Sequence, residues 1–182
     1  MLQGFVPFPP EFAARYRAKG YWRDQSLAQE FDAVFKRFAE RTVLIDGERQ
    51  FTYAELDRVS SNLALNLLEL GLKPMDRVVP ALPNVHEFVV LYFALQKIGA
   101  IPIAALVTHR FAELSQFVAL SGATTCVYPD SSGDFSFSPI IDRIQAESPA
   151  LRFRLVLGSP KAGEHSLREL IERPAMLPAS EL

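Results

Sequence analysis

The sequence has three histidines and one cysteine, the side chains most often used in metal-dependent or nucleophilic sites. His86, His109 and His165 lie far apart, and none has a second His, Cys or carboxylate at a familiar ligand spacing. Cys126 stands within apolar neighbours in a predicted strand, where a buried thiol is expected rather than a nucleophile. These positions predict neither a metal site nor covalent catalysis.

The stretch GSPKAGEH, residues 158–165, follows a predicted strand and precedes a helix, as phosphate-binding loops do. It lacks the Gly-Lys-Ser/Thr ending that places a lysine on a phosphate, and Glu164 would repel one. A plain connector is the preferred interpretation. The sequence also contains no GxSxG, HExxH or dinucleotide-binding fingerprint.

His109 and Arg110 are the candidates for substrate binding in this sequence. They follow a predicted parallel strand, at the edge where ligands bind in open α/β sheets. A structural role also explains them, because Thr108 could cap the next helix and Arg110 could pair with Glu113. Capping explains the local pattern unaided, so the structural role is preferred.

The charge balance and the apolar runs of the sequence argue against nucleic-acid binding and against a membrane span. Nineteen basic and twenty-one acidic side chains give a net charge of −2, which favours no nucleic-acid partner. The first residues lack a signal-peptide pattern, and the apolar run at 88–95 is far shorter than the roughly 18 residues of a membrane span. One cysteine indicates a reducing compartment. A cytoplasmic, single-domain protein is expected.

The elements that must position these residues are well marked. Two helices are predicted within residues 1–40, a helical clamp against the rest of the chain. A β-hairpin follows, turned at Asp46-Gly47, and Thr52 with Glu55 forms a capping box for a helix that ends at Gly71. Asn84 and Glu87 mark the start of a further helix, which is apolar nearly all round and should be buried.

Strands and helices alternate from residue 77 onward, which indicates βαβ units. The predicted fold class is α/β, with a mostly parallel sheet covered by helices, an N-terminal helical segment and a hairpin. Residues 41–182 form the α/β portion. A loop is predicted at 129–138.

Two segments resemble the adenylate-forming superfamily of acyl-CoA synthetases, adenylation domains and luciferases. FTYAEL resembles the first core motif of that superfamily, and LQKIGAIPIAAL resembles the second. LPNVHEFVVLYFAL between them is similar to the helix usual in the family. One departure is Met75, at a turn position where members usually have glycine.

Three further stretches narrow the resemblance to aryl-acid AMP ligases, which activate 2,3-dihydroxybenzoate or salicylate for siderophore biosynthesis. They are PPEFAARYRAKGYWRDQSLAQEF, AALVTHRFAEL and GEHSLREL. The resemblance implies a two-step ligase. An aryl acid attacks the α-phosphate of Mg·ATP, and the aryl group passes to the phosphopantetheine thiol of an aryl carrier protein.

In such ligases the phosphate loop, the aryl pocket and a mobile lysine would all follow Leu182. The resemblance therefore implies that residues 1–182 are an N-terminal portion, inactive alone, and that ATP and Mg²⁺ bind elsewhere. An acyl-CoA synthetase is an alternative, against which the His109-Arg110 step and RYRAKGYW argue. A non-catalytic α/β interaction module is a second alternative, favoured only by the missing phosphate loop.

Overall fold

The computed structural model describes residues 6–182. The predicted helices of the N-terminal segment are confirmed as α1 (Pro10–Ala18) and α2 (Leu27–Arg37). No residue of α1 is buried, and around this helix the rings of Phe8, Tyr16 and Trp22 pack against one another. In contrast, α2 contributes the buried Phe35 to the core. Residues 1–5 of the predicted clamp lie outside the described part of the chain.

The predicted hairpin is confirmed as β1 (Thr42–Asp46) paired antiparallel with β2 (Arg49–Thr52). Helix α3 (Tyr53–Leu70) follows directly, and Oγ1 of Thr52 accepts a hydrogen bond from the backbone N of Glu55 at 3.1 Å. Within residues 6–182 only the Thr52 half of the predicted capping box is present, and the Glu55 side chain does not complete it. Gly71, with φ of 107°, ends α3 as predicted.

The main sheet has five parallel strands in the order β4-β3-β5-β8-β9. These strands are β3 (Arg77–Pro80), β4 (Ile101–Pro102), β5 (Thr125–Pro129), β8 (Phe153–Leu157) and β9 (His165–Ser166). The helices between and after them are α4 (His86–Lys97), α5 (Phe111–Ser121), α6 (Ser138–Glu147) and α7 (Leu167–Glu172). The α/β class with a parallel sheet is therefore confirmed.

The segment predicted as a loop contains a minimal hairpin of β6 (Ser131–Ser132) and β7 (Phe135–Ser136). The prediction missed it because two-residue strands carry no periodic signal. After α7 the chain runs to a 3₁₀ helix at Ala179–Glu181.

Helices cover both faces of the sheet, and successive strand residues contribute to opposite cores because they point to opposite sides. Val78, Val127 and Leu155 face the core formed with α3, α4 and α7. Val79, Cys126 and Val156 face the core formed with α5 and α6. Every residue of α4 is buried or partly buried, as its apolar circumference predicts.

In the part of the chain that the structure describes, no helix has both the length and the apolar character needed to cross a membrane.

Candidate functional site

The carboxyl ends of the five strands lie at one edge of the sheet because all the strands are parallel. β4 lies on one side of β3 and β5 on the other, so the winding direction reverses between them. Ligands in open α/β sheets bind outside the carboxyl ends at such a reversal. The segments that follow the strands at this edge are 81–85, 103–110, 130–137 and 158–164.

His109 and Arg110 lie in the segment between β4 and α5, and both hold that turn together. Nδ1 of His109 accepts a hydrogen bond from the backbone N of Leu106 at 3.1 Å. Nη1 of Arg110 donates to the carbonyl oxygens of Val107 and His109, at 3.0 and 2.9 Å. The Arg110 guanidinium also lies 4.0 Å from the ring centre of Phe135, a cation–π contact with the small hairpin.

The predicted cap at Thr108 is wrong, because α5 begins two residues later, with Arg110 as its N-cap residue. The expected Arg110–Glu113 side-chain pair is also replaced by another contact. The backbone N of Arg110 donates to Oε2 of Glu113 at 3.0 Å, while the guanidinium lies over Phe135. This hydrogen bond holds the pKa of Glu113 below its ordinary value.

The loop at 158–164 is closed by carboxylates of this chain. Oε2 of Glu164 accepts from the backbone N of Lys161 at 2.7 Å, and Oδ2 of Asp130 accepts from the backbone N of Ser159 at 3.0 Å. Asp130 lies so close to Gly158 that a Cβ there would be 2.4 Å from the carboxylate. Backbone amides that could bind a phosphate are thus occupied by negative groups, which agrees with the connector interpretation.

Glu164 also anchors the loop to the sheet. The hydroxyl of the fully buried Tyr128 donates to Oε1 of Glu164 at 3.0 Å. Although partial burial opposes ionisation, the Lys161 amide and the hydroxyls of Ser138 and Tyr128 hold the pKa of Glu164 below its ordinary value. Burial and the adjacent carboxylate raise the pKa of Tyr128.

One group of three potential metal ligands occurs within residues 6–182: Asp46, His86 and Glu87. Oδ2 of Asp46 lies 2.6 Å from Nδ1 of His86, and Oε2 of Glu87 lies 3.4 Å from the same nitrogen. The sequence spacing missed this group because Asp46 is 40 residues from His86 and reaches it only when the hairpin packs on α4.

The neighbouring arginines identify this group as a charge network. Nη1 of Arg49 lies 3.1 Å from Nε2 of His86, and Nε of Arg168 donates to Oε1 of Glu87 at 2.9 Å. Arginine only donates, so Nε2 is the acceptor and Nδ1 carries the proton given to Asp46. A metal on Nδ1 would displace that proton and turn an N–H toward Arg49. The donor set therefore does not fit a metal ion.

Asp46 also caps the N-terminus of α4, although it lies 40 residues earlier in the sequence. Its Oδ2 accepts from the backbone N of His86 at 3.0 Å, whereas the N-cap residue Val85 has no side-chain cap. The cap that the Asn84–Glu87 spacing suggests is thus supplied by the hairpin instead. The hydrogen bonds from His86 lower the pKa of Asp46.

An apolar cleft of about 350 Å³ lies between α4 and the edge strand β4. Leu91, Leu95 and Pro102 are among its lining residues, with Gln96 as a polar neighbour. This lining offers neither a carboxylate nor a cation for catalysis.

ATP and Mg²⁺, which the resemblance implies, fit neither charged group described above. In the Asp46 network each carboxylate already accepts hydrogen bonds from histidine or arginine. In the 158–164 loop the amides of Ser159 and Lys161 are bound by Asp130 and Glu164, which would repel phosphate oxygens. Within residues 6–182, then, the polar groups of both places serve to hold elements together.

The described residues thus define an α/β scaffold, a parallel sheet that helices cover on both faces and whose winding direction reverses at β3. The family model described as AMP-binding enzyme matches residues 31–175. The chain belongs to this family, and the predicted membership of the adenylate-forming superfamily is confirmed.

Several relatives are aryl-acid ligases, as the predicted resemblance requires. The chain is 41% identical over 164 residues to a salicyl-AMP ligase / salicyl-S-ArCP synthetase of Mycobacterium tuberculosis, covering 87% of this chain and 29% of the relative. It is 34% identical over 179 residues to a 2,3-dihydroxybenzoate-AMP ligase of Bacillus subtilis, covering 98% and 33%.

The fold is shared with a solved relative. The structure of apo MbtA from Mycobacterium smegmatis superposes with a TM-score of 0.85 at 35% identity, covering 98% of this chain and 34% of that one. The chain thus spans about a third of the length of these relatives.

Proposed function

We propose that this chain is the N-terminal part of a ligase that activates 2,3-dihydroxybenzoate or salicylate with ATP and passes the aryl group to an aryl carrier protein in siderophore biosynthesis. The observation that carries the proposal is the similarity to the 2,3-dihydroxybenzoate-AMP ligase, which extends over 98% of the chain at 34% identity. The salicyl-AMP ligase, at 41% identity, supports the same class of acid.

Within that ligase the segment serves as scaffold. Residues 1–40 are the helical clamp and residues 41–182 the first α/β portion, and the protein acts in the cytoplasm. The residues that hold ATP and Mg²⁺ belong to other parts of the enzyme, because in residues 6–182 the carboxylates of the Asp46 group and of the 158–164 loop already accept hydrogen bonds from this chain. His109 and Arg110 are the candidates here for contact with the aryl acid, since they follow β4 at the carboxyl edge.

A second candidate differs in the acceptor. A 2-hydroxy-7-methoxy-5-methyl-1-naphthoate–CoA ligase of Streptomyces carzinostaticus is 37% identical over 156 residues. That relative favours a ligase in which CoA, rather than a carrier protein, accepts the aryl group. Adenylation comes first in both schemes, so the acceptor requires its own measurement.

ATP–pyrophosphate exchange tests the proposal on the full-length protein and on residues 1–182. The panel of acids is 2,3-dihydroxybenzoate, salicylate, benzoate and a medium-chain fatty acid. We expect exchange by the full-length protein with the first two acids and none by the segment. Exchange by the segment would refute the scaffold assignment, and a preference for the fatty acid would refute the aryl class.

The acceptor is then tested by supplying the active full-length protein with either a phosphopantetheinylated aryl carrier protein or CoA. Aryl thioester on the carrier protein alone is the expected product. Thioester formed only with CoA would establish the second candidate instead.

A further inference from the structure

Three polar side chains on one face of α3 hold the segment of chain that leaves α7. Asn62, Asn66 and Glu69 are spaced by four and three residues and so lie side by side along the helix. They contact residues 170–177, more than 100 positions later in the sequence. We call these three side chains the α3 clasp.

Asn62 uses both ends of its amide group. Nδ2 donates to the carbonyl oxygens of Ile171 and Arg173, at 2.9 and 2.8 Å. Oδ1 accepts from the backbone N of Ala175 at 3.0 Å. One side chain thus fixes both the end of α7 and the chain that follows it.

Asn66 and Glu69 extend the same pattern. Nδ2 of the fully buried Asn66 donates to the carbonyls of Leu170 and Arg173, at 2.9 and 3.0 Å, while its Oδ1 accepts from Nε of Arg173 at 2.8 Å. Oε1 of Glu69 accepts from the backbone N of Leu177 at 2.8 Å and also from that of Met176.

Most hydrogen bonds of the clasp join backbone atoms of residues 170–177, so they determine where the chain runs. The Arg173 side chain adds contacts with Asn66 and Glu69. After α7 ends at Glu172, residues 173–178 belong to neither a helix nor a strand, and regular hydrogen bonding does not set their path. The last carbonyls of a helix lack intrahelical partners, and here Asn62 and Asn66 supply those partners. Asn66, the buried member of the clasp, uses both ends of its amide, and a buried polar group with its bonds satisfied holds one geometry.

The path that the clasp sets crosses α3 and returns to the other helices. The 3₁₀ helix at Ala179–Glu181 contacts α3. Ala179 and Leu182 then border a cavity that Asp32 of α2 and Lys97 at the end of α4 also line. The chain after α7 therefore ends, at residue 182, beside the cavity between α2 and the end of α4.

We propose that Asn62, Asn66 and Glu69 are positioning residues of the ligase, which place the parts of the enzyme that follow residue 177 relative to this scaffold. The inference rests on the proposed function, because it assigns the reacting groups to those parts. A displacement of about 1 Å in a reacting group is enough to lower a rate by about 100-fold. The clasp therefore controls the rate through geometry, without touching a substrate.

The test uses the full-length protein with Glu69→Ala, Asn62→Ala and Glu69→Gln. The matched control is Thr52→Ala, which weakens the start of the same helix and leaves the clasp intact. Two quantities are measured at a temperature where all variants are folded: hydrogen exchange of the amides of residues 175–177, and kcat and KM of ATP–pyrophosphate exchange.

We expect Asn62→Ala to exchange the amide of Ala175 faster, and Glu69→Ala to exchange those of Met176 and Leu177 faster. Both variants should lose at least about tenfold in kcat/KM. Glu69→Gln should retain most of the wild-type values, because its carbonyl oxygen can still accept from the two amides. Thr52→Ala should lower thermal stability and change neither measurement.

Faster amide exchange with wild-type kinetic constants would overturn the positioning role and leave the clasp as a purely stabilising contact. Unchanged amide exchange in both alanine variants would overturn the clasp itself. An inactive wild-type protein would refute the proposed function and the positioning role with it. Even then, slow amide exchange that Glu69→Ala accelerates would support the clasp.

Discussion

The carboxylate of Asp46, in the hairpin, lies 2.6 Å from Nδ1 of His86, at the start of α4. The same oxygen accepts from the backbone N of His86, so one side chain both caps the helix and fixes the orientation of the ring. Arg49, three residues after Asp46, contacts the other ring nitrogen of His86. The hairpin is thereby held on α4 by hydrogen bonds as well as by the ring contact between Phe51 and His86.

Asp46→Asn should weaken the dependence of stability on acid pH. The hydrogen bonds from His86 lower the pKa of Asp46 in the folded state below the value of about 3.9 for the unfolded chain. Their stabilisation is therefore complete above the unfolded pKa and is lost as pH falls through the folded pKa. Urea unfolding between about pH 5 and pH 3 should show a steeper loss for the wild type than for the variant.

The control for that experiment is Asp134→Asn, which changes an exposed aspartate in the turn of the small hairpin. It should keep the slope of the wild type. If Asp46→Asn and the wild type gave parallel curves, the hydrogen bonds from His86 would not lower the pKa of Asp46 in the folded protein.

Met75→Gly should stabilise the fold. Met75 has φ of 70°, a left-handed conformation that costs a residue with a Cβ about 1–2 kcal/mol. Part of the relief is offset because glycine gains freedom in the unfolded chain, so the expected gain is about 0.5 kcal/mol. The free energy of unfolding in urea measures it, and Met75→Ala should bring no such gain. A less stable Met75→Gly protein would contradict the strain argument.

Thr52→Ala should lower the free energy of unfolding by about 1 kcal/mol. The substitution removes the side-chain oxygen that accepts from the backbone N of Glu55 at the start of α3. Thr52→Ser keeps that oxygen and is the matched control. In the full-length ligase, KM for ATP should not change, and a large increase in it at unaltered stability would contradict a scaffold role.

Cys126 should resist thiol reagents in the folded protein. Burial between the sheet and α5–α6 raises the pKa of its thiol to about 12, so the reactive thiolate is suppressed near neutral pH. Labelling should follow the unfolding curve and reach one equivalent only in denaturant, since the chain has one cysteine. Complete labelling within seconds in native buffer would show that the strand opens.

The sequence by itself determined the local elements of this protein. The turn at Asp46-Gly47, the cap at Thr52 and the stop at Gly71 each act within a few residues, so their chemistry can be read from neighbours. Apolar periodicity and the alternation of strands with helices then indicated a parallel sheet covered on both faces. The family followed from short contiguous motifs, each of which spans two neighbouring elements of the chain.

Only the tertiary structure determined which of those helices and strands form side-chain contacts with one another. Asp46 caps a helix 40 residues away, and Asn62 captures carbonyls more than 100 residues away. Arg110 lies over Phe135 instead of pairing with Glu113. A side chain can reach several different partners, depending on its rotamer. The spacing of residues along the sequence does not show which of these partners tertiary packing will bring close to it. These contacts depend on where the hairpin, α7 and the small hairpin pack, and that is set by burial of the whole core rather than by local sequence.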